Sequence, residues 1–190
     1  MQWVSVPADS AARAAVLTGG QVDASLLTAP TYYRLETMGL KLLDSISNYE
    51  DIVISTGYVF KKTWVAANRD VPVRIIMAHA EAIKRFYEDK AFAIATYRKN
   101  DPAAEQDVAR LYDDYVQHNT LDRVPLLSKI AVAASAERLV ADIPALKGKD
   151  LSQSVDMSDV RKLISDGYFE TLFGSSIKAE QERKLKDAFA

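Results

Sequence analysis

The sequence predicts an α/β protein: a three-layer αβα arrangement with a helix-rich C-terminal half. Three observations carry this. Over residues 3–66 short apolar runs alternate with short helical patterns. Strand, helix, strand, helix, strand is the order that parallel βαβ units with right-handed crossovers produce. The early runs are apolar on both faces, as strands covered by helices on either side must be. Residues 72–174 then carry helical periodicity alone.

Each element has its own signal. Trp3-Val4-Ser5-Val6 reads as a short strand stopped at Pro7. The alanine-rich run from Ala8 to Leu17 opens on capping residues and stops at Gly19-Gly20, so it reads as a short helix. Val22 to Leu27 is the next strand, ending in the loop Thr28-Ala29-Pro30. Pro30 sits where a first helical turn accepts proline, and the helix through Tyr32, Tyr33 and Leu35 closes at Gly39. Leu40-Lys41-Leu42-Leu43 is a third short strand, and a longer extended segment from about Ile52 to Ala66 is rich in Val, Ile, Thr, Tyr, Phe and Trp.

Beyond Asn68-Arg69-Asp70 the period becomes helical. Ile75, Ile76, Ile83, Phe86 and Tyr87 form one apolar face, with Phe92 and Ile94 extending it. Val108, Leu111, Tyr112, Tyr115 and Val116 follow the i, i+3, i+4, i+7, i+8 template. A third helical region spans Leu126 to Val140, and a fourth opens at Asp156 or Ser158 and presents Val160, Leu163 and Ile164 before Gly167. The charged tail from Ser175 to Ala190 reads either as a terminal helix or as a frayed end. Three or four strands are few for four later helices, so the chain reads as part of an α/β protein whose remaining strands lie elsewhere.

Composition removes several functional classes. The chain has 190 residues, one large domain or two small lobes, and 24 Lys+Arg against 26 Asp+Glu give a net charge of −2. That balance argues against a nucleic-acid partner or a polybasic membrane-surface role. The absence of cysteine excludes disulfides, thiolate catalysis, zinc fingers and iron–sulfur clusters, while leaving the compartment open. No stretch approaches the roughly 20 apolar residues of a membrane span, and the first residues carry no signal-peptide pattern.

Enzyme motifs are also missing: there is no GxGxxG, Walker loop, GxSxG or HExxH. His79 and His118 lie 39 residues apart inside helical patterns, one on a helix face and one in a C-terminal turn. Asp113-Asp114 and Glu88-Asp89 read as solvated, salt-bridged faces, and Lys61-Lys62 and Arg183-Lys184 are too short for nucleic-acid patches. The expectation is a protein with no catalytic residue, no metal and no cofactor.

A ligand-pocket pattern remains. Ser10 lies at a helix N-terminus directly after a strand, where unpaired N–H groups and the positive dipole end favour an anion. The turn Thr28-Ala29-Pro30-Thr31-Tyr32 sits likewise after a strand, and open α/β sheets bind ligands outside such strand ends. Two such turns can hold a sulfonate, phosphate or carboxylate, with Tyr32 or Tyr58 covering an apolar part. The same residues read equally as ordinary caps and packing.

Longer runs carry a resemblance. Residues 12–30, ARAAVLTGGQVDASLLTAP, resemble the pattern R-x-x-A-L-x-x-G-x-V-D-A-x-x-x-x-x-P found in solute-binding proteins of ABC importers for nitrate, sulfonate, taurine and thiamine-pyrimidine precursors. Gly39 to Leu43 fits the following G-x-k-x-L. Residues 68–78, NRDVPVRIIMA, look like n-p-d-v-v-x-x-f-l-x-A, and residues 156–169 resemble the late D-x-s-x-l-x-x-l-x-x-G-f segment.

The resemblance implies a partial type II periplasmic-binding fold that closes on its ligand by a hinge. Residues 1–56 would be a second-lobe portion (βαβαβ), residues 57–174 the return strand and helices of the first lobe, and residues 175–190 a terminal tail. It implies the substrate-binding component of an importer, with no activity, periplasmic or membrane-associated outside the cytoplasm, with a small solute and a permease as partners. Carried over position by position, the ligand contacts are Ser10, Arg13, Thr28, Pro30 through its backbone, Tyr32 and Tyr58, although Arg13 also reads as a surface salt-bridge partner. Family members have a substantial N-terminal segment that this sequence lacks. Two alternatives stand beside this reading: a thiamine-pyrimidine synthase-like enzyme, whose cysteine-rich motif is absent here, and a truncated protein that self-associates as a homodimer through unpaired strand edges.

Overall fold

The computed structural model describes residues 2–6, 9–45, 54 and 56–189. Ten α-helices follow one another among these: α1 (Ser10–Thr18), α2 (Thr31–Thr37), α3 (Lys62–Ala67), α4 (Val71–Glu88), α5 (Lys90–Asn100), α6 (Glu105–Gln117), α7 (Lys129–Leu139), α8 (Ser158–Ser165), α9 (Tyr168–Phe173) and α10 (Ile177–Leu185). Two 3-10 turns, Pro144–Leu146 and Ser152–Ser154, lie between α7 and α8.

This corrects the expected α/β class. Of the described residues 59% are helical, and the one β-bridge among them is an isolated antiparallel pair, Ser128 with Ala188. Among the described residues there is no three-layer αβα sheet, and the type II periplasmic-binding fold of the importer receptors has no counterpart in them. Residues 3–6, 22–27 and 40–43, expected as strands, are non-helical and unpaired. Of the segment expected as strand from Ile52 to Ala66, residues 62–66 lie in α3, and residues 52, 53 and 55 lie outside the described residues. The reason is physical: a helix satisfies its backbone within its own length, whereas a strand needs a neighbour at ladder distance.

The chain divides into two compact units, each made of two stretches: residues 1–48 with 89–120, and residues 49–88 with 121–190. In the first unit α1 packs on α2 and α5 on α6. Its core holds Ala14, Tyr33, Leu35, Val108, Leu111 and Tyr112. Ion pairs fix the α5–α6 hairpin as antiparallel. Lys90 at the start of α5 reaches Asp113 late in α6 at 2.5 Å, and Arg98 near the end of α5 reaches Glu105 at the start of α6 at 2.7 Å. The Asp89 carboxylate caps α5, accepting from the Phe92 N–H at 2.9 Å.

The second unit is built around Ala80 of α4, Val124, Leu126, Val160 and Leu163 of α8, Phe169 of α9, Ile177 of α10 and Ala188. Ala80 and Phe169 are completely buried. The Tyr168 hydroxyl donates to the Met77 carbonyl at 3.2 Å, tying α9 to α4. The turn from α8 into α9 places Gly167 at φ 72°, a left-handed conformation that glycine adopts without a steric penalty. Of the two readings of the tail, the helical one holds. After α10, Ala188 and Phe189 are buried, and the Arg161 guanidinium donates to the carbonyls of Phe189 at 2.7 Å and Ala188 at 3.3 Å.

Candidate functional site

The site begins at the entry of α1. The Asp9 carboxylate accepts the Ala12 N–H at 2.7 Å, and the Asp9 carbonyl accepts the Arg13 N–H at 3.2 Å. The chain's own carboxylate therefore occupies the helix end expected to receive an external anion. Ser10, one residue further, is left to other partners. The Thr28 N–H donates to Ser10 Oγ at 2.9 Å, and the Thr28 hydroxyl donates to the same atom at 3.0 Å. These bonds close 18 positions of chain and bring the two expected turns together.

Because Ser10 Oγ accepts both bonds, its own O–H remains a donor. Arg13 lies three positions on, on the same face of α1. Its Nε is buried without a hydrogen-bond partner, a state that costs roughly 1–3 kcal/mol for an unsatisfied donor. The Pro30 carbonyl, expected as a ligand contact, accepts the Tyr33 N–H at 3.1 Å as α2 begins.

Tyr32 meets Tyr33 edge to face, with ring centroids 4.5 Å apart. Behind it stands a group that the sequence did not single out. The Tyr33 hydroxyl donates to Asp114 Oδ2 at 2.5 Å, the Arg110 guanidinium lies 4.0 Å over the Tyr33 ring, and Arg110 pairs with Glu36 at 2.6 Å. Burial, then the bond to Asp114, push the Tyr33 hydroxyl far above its ordinary pKa. The bond to Glu36 holds the Arg110 guanidinium protonated even more firmly than usual. Helical spacing gave one signal for this group, since Tyr33 with Glu36 and Arg110 with Asp114 each share a helix face. That the two faces meet lies outside any local pattern.

Tyr58 belongs to the second unit, where its hydroxyl is 3.0 Å from His79 Nδ1 and its ring stacks on Phe60. His118 Nδ1 lies 2.8 Å from the Asp114 carbonyl oxygen. Among the described residues no three His, Cys, Asp or Glu side chains gather where a metal ion could be held. No helix of these residues is long and apolar enough to cross a membrane. The second unit has a cavity of about 400 Å³ between Tyr87, Arg123, Phe173 and Glu180, and one of about 510 Å³ along α7 and residues 146–152. None of the six expected contact residues lines either.

Compared with family models, curated proteins and solved structures, the chain gives no significant match.

Proposed function

We propose that this chain is a non-catalytic binding component that holds a small anionic or heterocyclic solute in its first unit. The solute class is that suggested by the sequence resemblance: a sulfonate, nitrate or a thiamine-pyrimidine precursor, captured outside the cytoplasm for delivery to an importer permease. The reading uses the side-chain cluster at α1 and makes no use of a two-lobed clamshell. The observation that supports it is the buried, unpartnered Nε of Arg13 on the same helix face as Ser10, whose hydroxyl is anchored by Thr28. An anion accepting from Arg13 and the Ser10 hydroxyl satisfies the donor that the protein leaves unpaired, and charge-assisted bonds of this kind are among the stronger ones. Thr28 positions Ser10, and Tyr32 offers an apolar edge beside the turn.

Thermal unfolding of the full chain with an alkanesulfonate, nitrate or an aminopyrimidine tests this. The expected result is a rise in Tm that grows with the logarithm of ligand concentration. Arg13→Ala and Ser10→Ala should lose that rise while keeping wild-type helicity. Flat curves for all three ligands overturn the proposal, and so does a rise that both variants retain.

A further inference from the structure

We propose that the second unit binds a free α-amino acid with an aliphatic side chain, in the cavity of about 400 Å³ between α4, α9, α10 and the loop that carries Arg123. The Tyr87 hydroxyl of α4 fixes that loop: it donates to the Leu121 carbonyl at 3.0 Å and accepts the Leu121 N–H at 3.1 Å. The loop so anchored lays the Arg123 guanidinium over the Tyr87 ring, 4.3 Å from its centroid. Beside it stands Glu180, in the first turn of α10. Arg123 Nη1 and Glu180 Oε2 are 3.7 Å apart, an ion pair too long for a hydrogen bond. The other carboxylate oxygen, Glu180 Oε1, is buried with no hydrogen-bond partner. A buried acceptor left unmet is costly, and this one lies on a residue that lines the cavity.

The class of ligand follows from the charges. The cavity is lined by two cations, Lys84 and Arg123, and two carboxylates, Glu88 and Glu180, so the lining is neutral. Lys84 and Glu88 are the more exposed and pair with each other, which leaves Arg123 and Glu180 to a ligand. A lone cation beside Glu180 faces the repulsion of Arg123, and a lone anion beside Arg123 faces that of Glu180. A ligand with both charges side by side meets both residues. An α-amino acid carries its ammonium and its carboxylate on one carbon, an adjacent pair to match the adjacent pair in the wall. The ammonium donates to Glu180 Oε1, and the carboxylate accepts from the planar fork of Arg123. Phe173 and Ile177 supply the apolar wall for the side chain. The volume is at the small end of the roughly 300–1,000 Å³ of small-molecule sites, which suits a compact aliphatic group. This site shares no residue with the cluster at α1.

Equilibrium dialysis of the full chain against L-leucine, with free ligand measured by mass spectrometry, tests this. Two analogues each lack one charge: 3-methylbutylamine has no carboxylate, and 4-methylpentanoate has no ammonium. L-leucine should bind, and each analogue should bind roughly tenfold or more weakly, because each loses a charge-assisted bond. Glu180→Gln should weaken L-leucine by a similar factor and bring 4-methylpentanoate level with it. Arg123→Met keeps the apolar stem over Tyr87 and should bring 3-methylbutylamine level with a weakened L-leucine. Circular dichroism of each variant reports whether the helices are intact, and the analogue series is read on the unmutated chain. No binding of L-leucine up to about ten millimolar overturns the proposal. So does an analogue that binds the wild type as tightly as L-leucine, which makes the site one for a single charge. L-leucine binding that both variants retain overturns it too, because the ligand then sits elsewhere.

Discussion

Tyr33 of α2 and Asp114 of α6, 81 positions apart in the chain, are joined by a hydrogen bond of 2.5 Å under the Arg110 guanidinium. This contact closes the first unit between its two stretches of sequence, and it makes stability depend on alkaline pH. The folded-state pKa of Tyr33 is raised, by burial first, above the ordinary value of 10.0. Above pH 10 the unfolded chain therefore releases a proton that the folded chain keeps. The stabilisation is complete below that pH and is lost as pH rises toward the folded pKa. Tyr33→Phe should cost roughly 1–3 kcal/mol at neutral pH, because Asp114 loses its donor. The gap between variant and wild type should narrow above pH 10. Urea unfolding at neutral and alkaline pH measures both, and a gap that widens with pH contradicts the assignment. Tyr87, Tyr97 and Tyr168, also raised mainly by burial, leave a residual slope of the same sign in the variant.

Asp156 works in the opposite pH range. Its Oδ1 accepts the Ser158 hydroxyl at 2.6 Å and the Ser158 N–H at 3.0 Å, just ahead of α8. These bonds hold its carboxyl below the ordinary carboxylate range. With a depressed folded pKa, its contribution is present above the unfolded value of 3.8 and is lost as pH falls through the folded one. Asp159 in the first turn of α8 is raised by burial and by the charge of Asp156, so it opposes this trend. Asp156→Asn keeps an acceptor oxygen but removes the charge at the helix entry. It should cost about 0.3–1 kcal/mol at neutral pH. The gap between variant and wild type should narrow as the pH falls below 3.8, as thermal unfolding across neutral and acid pH will show.

The helices were legible where a segment carries its own stripe. Val108, Leu111 and Tyr112 predict α6 and are buried in it, and Val160 and Leu163 do the same for α8. The α1 boundaries follow from the Asp9-Ser10 opening and the Gly19-Gly20 stop. Strand character was misread because it depends on a neighbour. Val22 to Leu27 and Leu40 to Leu43 have strand composition, but no other segment among the described residues lies alongside to complete a ladder. The candidate site was legible in part for the same reason. Two turns rich in hydroxyls suggested that Ser10 and Thr28 belong together, and they do. That Asp9 rather than an external anion satisfies the α1 entry is a choice between adjacent acceptors that spacing does not make. The Arg110–Glu36 pair spans 74 positions, beyond the reach of any periodicity.

The end of the chain is held from α8 and from the start of α7. Arg161 of α8 donates to the Phe189 and Ala188 carbonyls, the Lys129 N–H donates to the Asp187 carbonyl at 2.9 Å, and the Ser128 hydroxyl bonds the Asp187 carboxylate. The Ser128–Ala188 bridge joins the same strip of backbone to the start of α7. Of these contacts, only those from Arg161 bring a positive charge to the carbonyls, and bonds to charged groups contribute about 1.5–3 kcal/mol. Arg161→Met keeps the apolar stem and removes the donors. It should loosen residues 187–189 more than Ala80, Val160 and Phe169, because Ala188 is one of eight buried residues in that cluster and the other seven lie outside the tail's last three residues. Hydrogen exchange separates the two regions. The amides of Lys129 and of the final residues should exchange roughly tenfold faster or more in the variant, in step with about 1.4 kcal/mol of lost protection per decade. The amides of α4 and α9 should keep their wild-type rates. Equal acceleration everywhere would mean that the tail is integral to the core rather than clamped onto it.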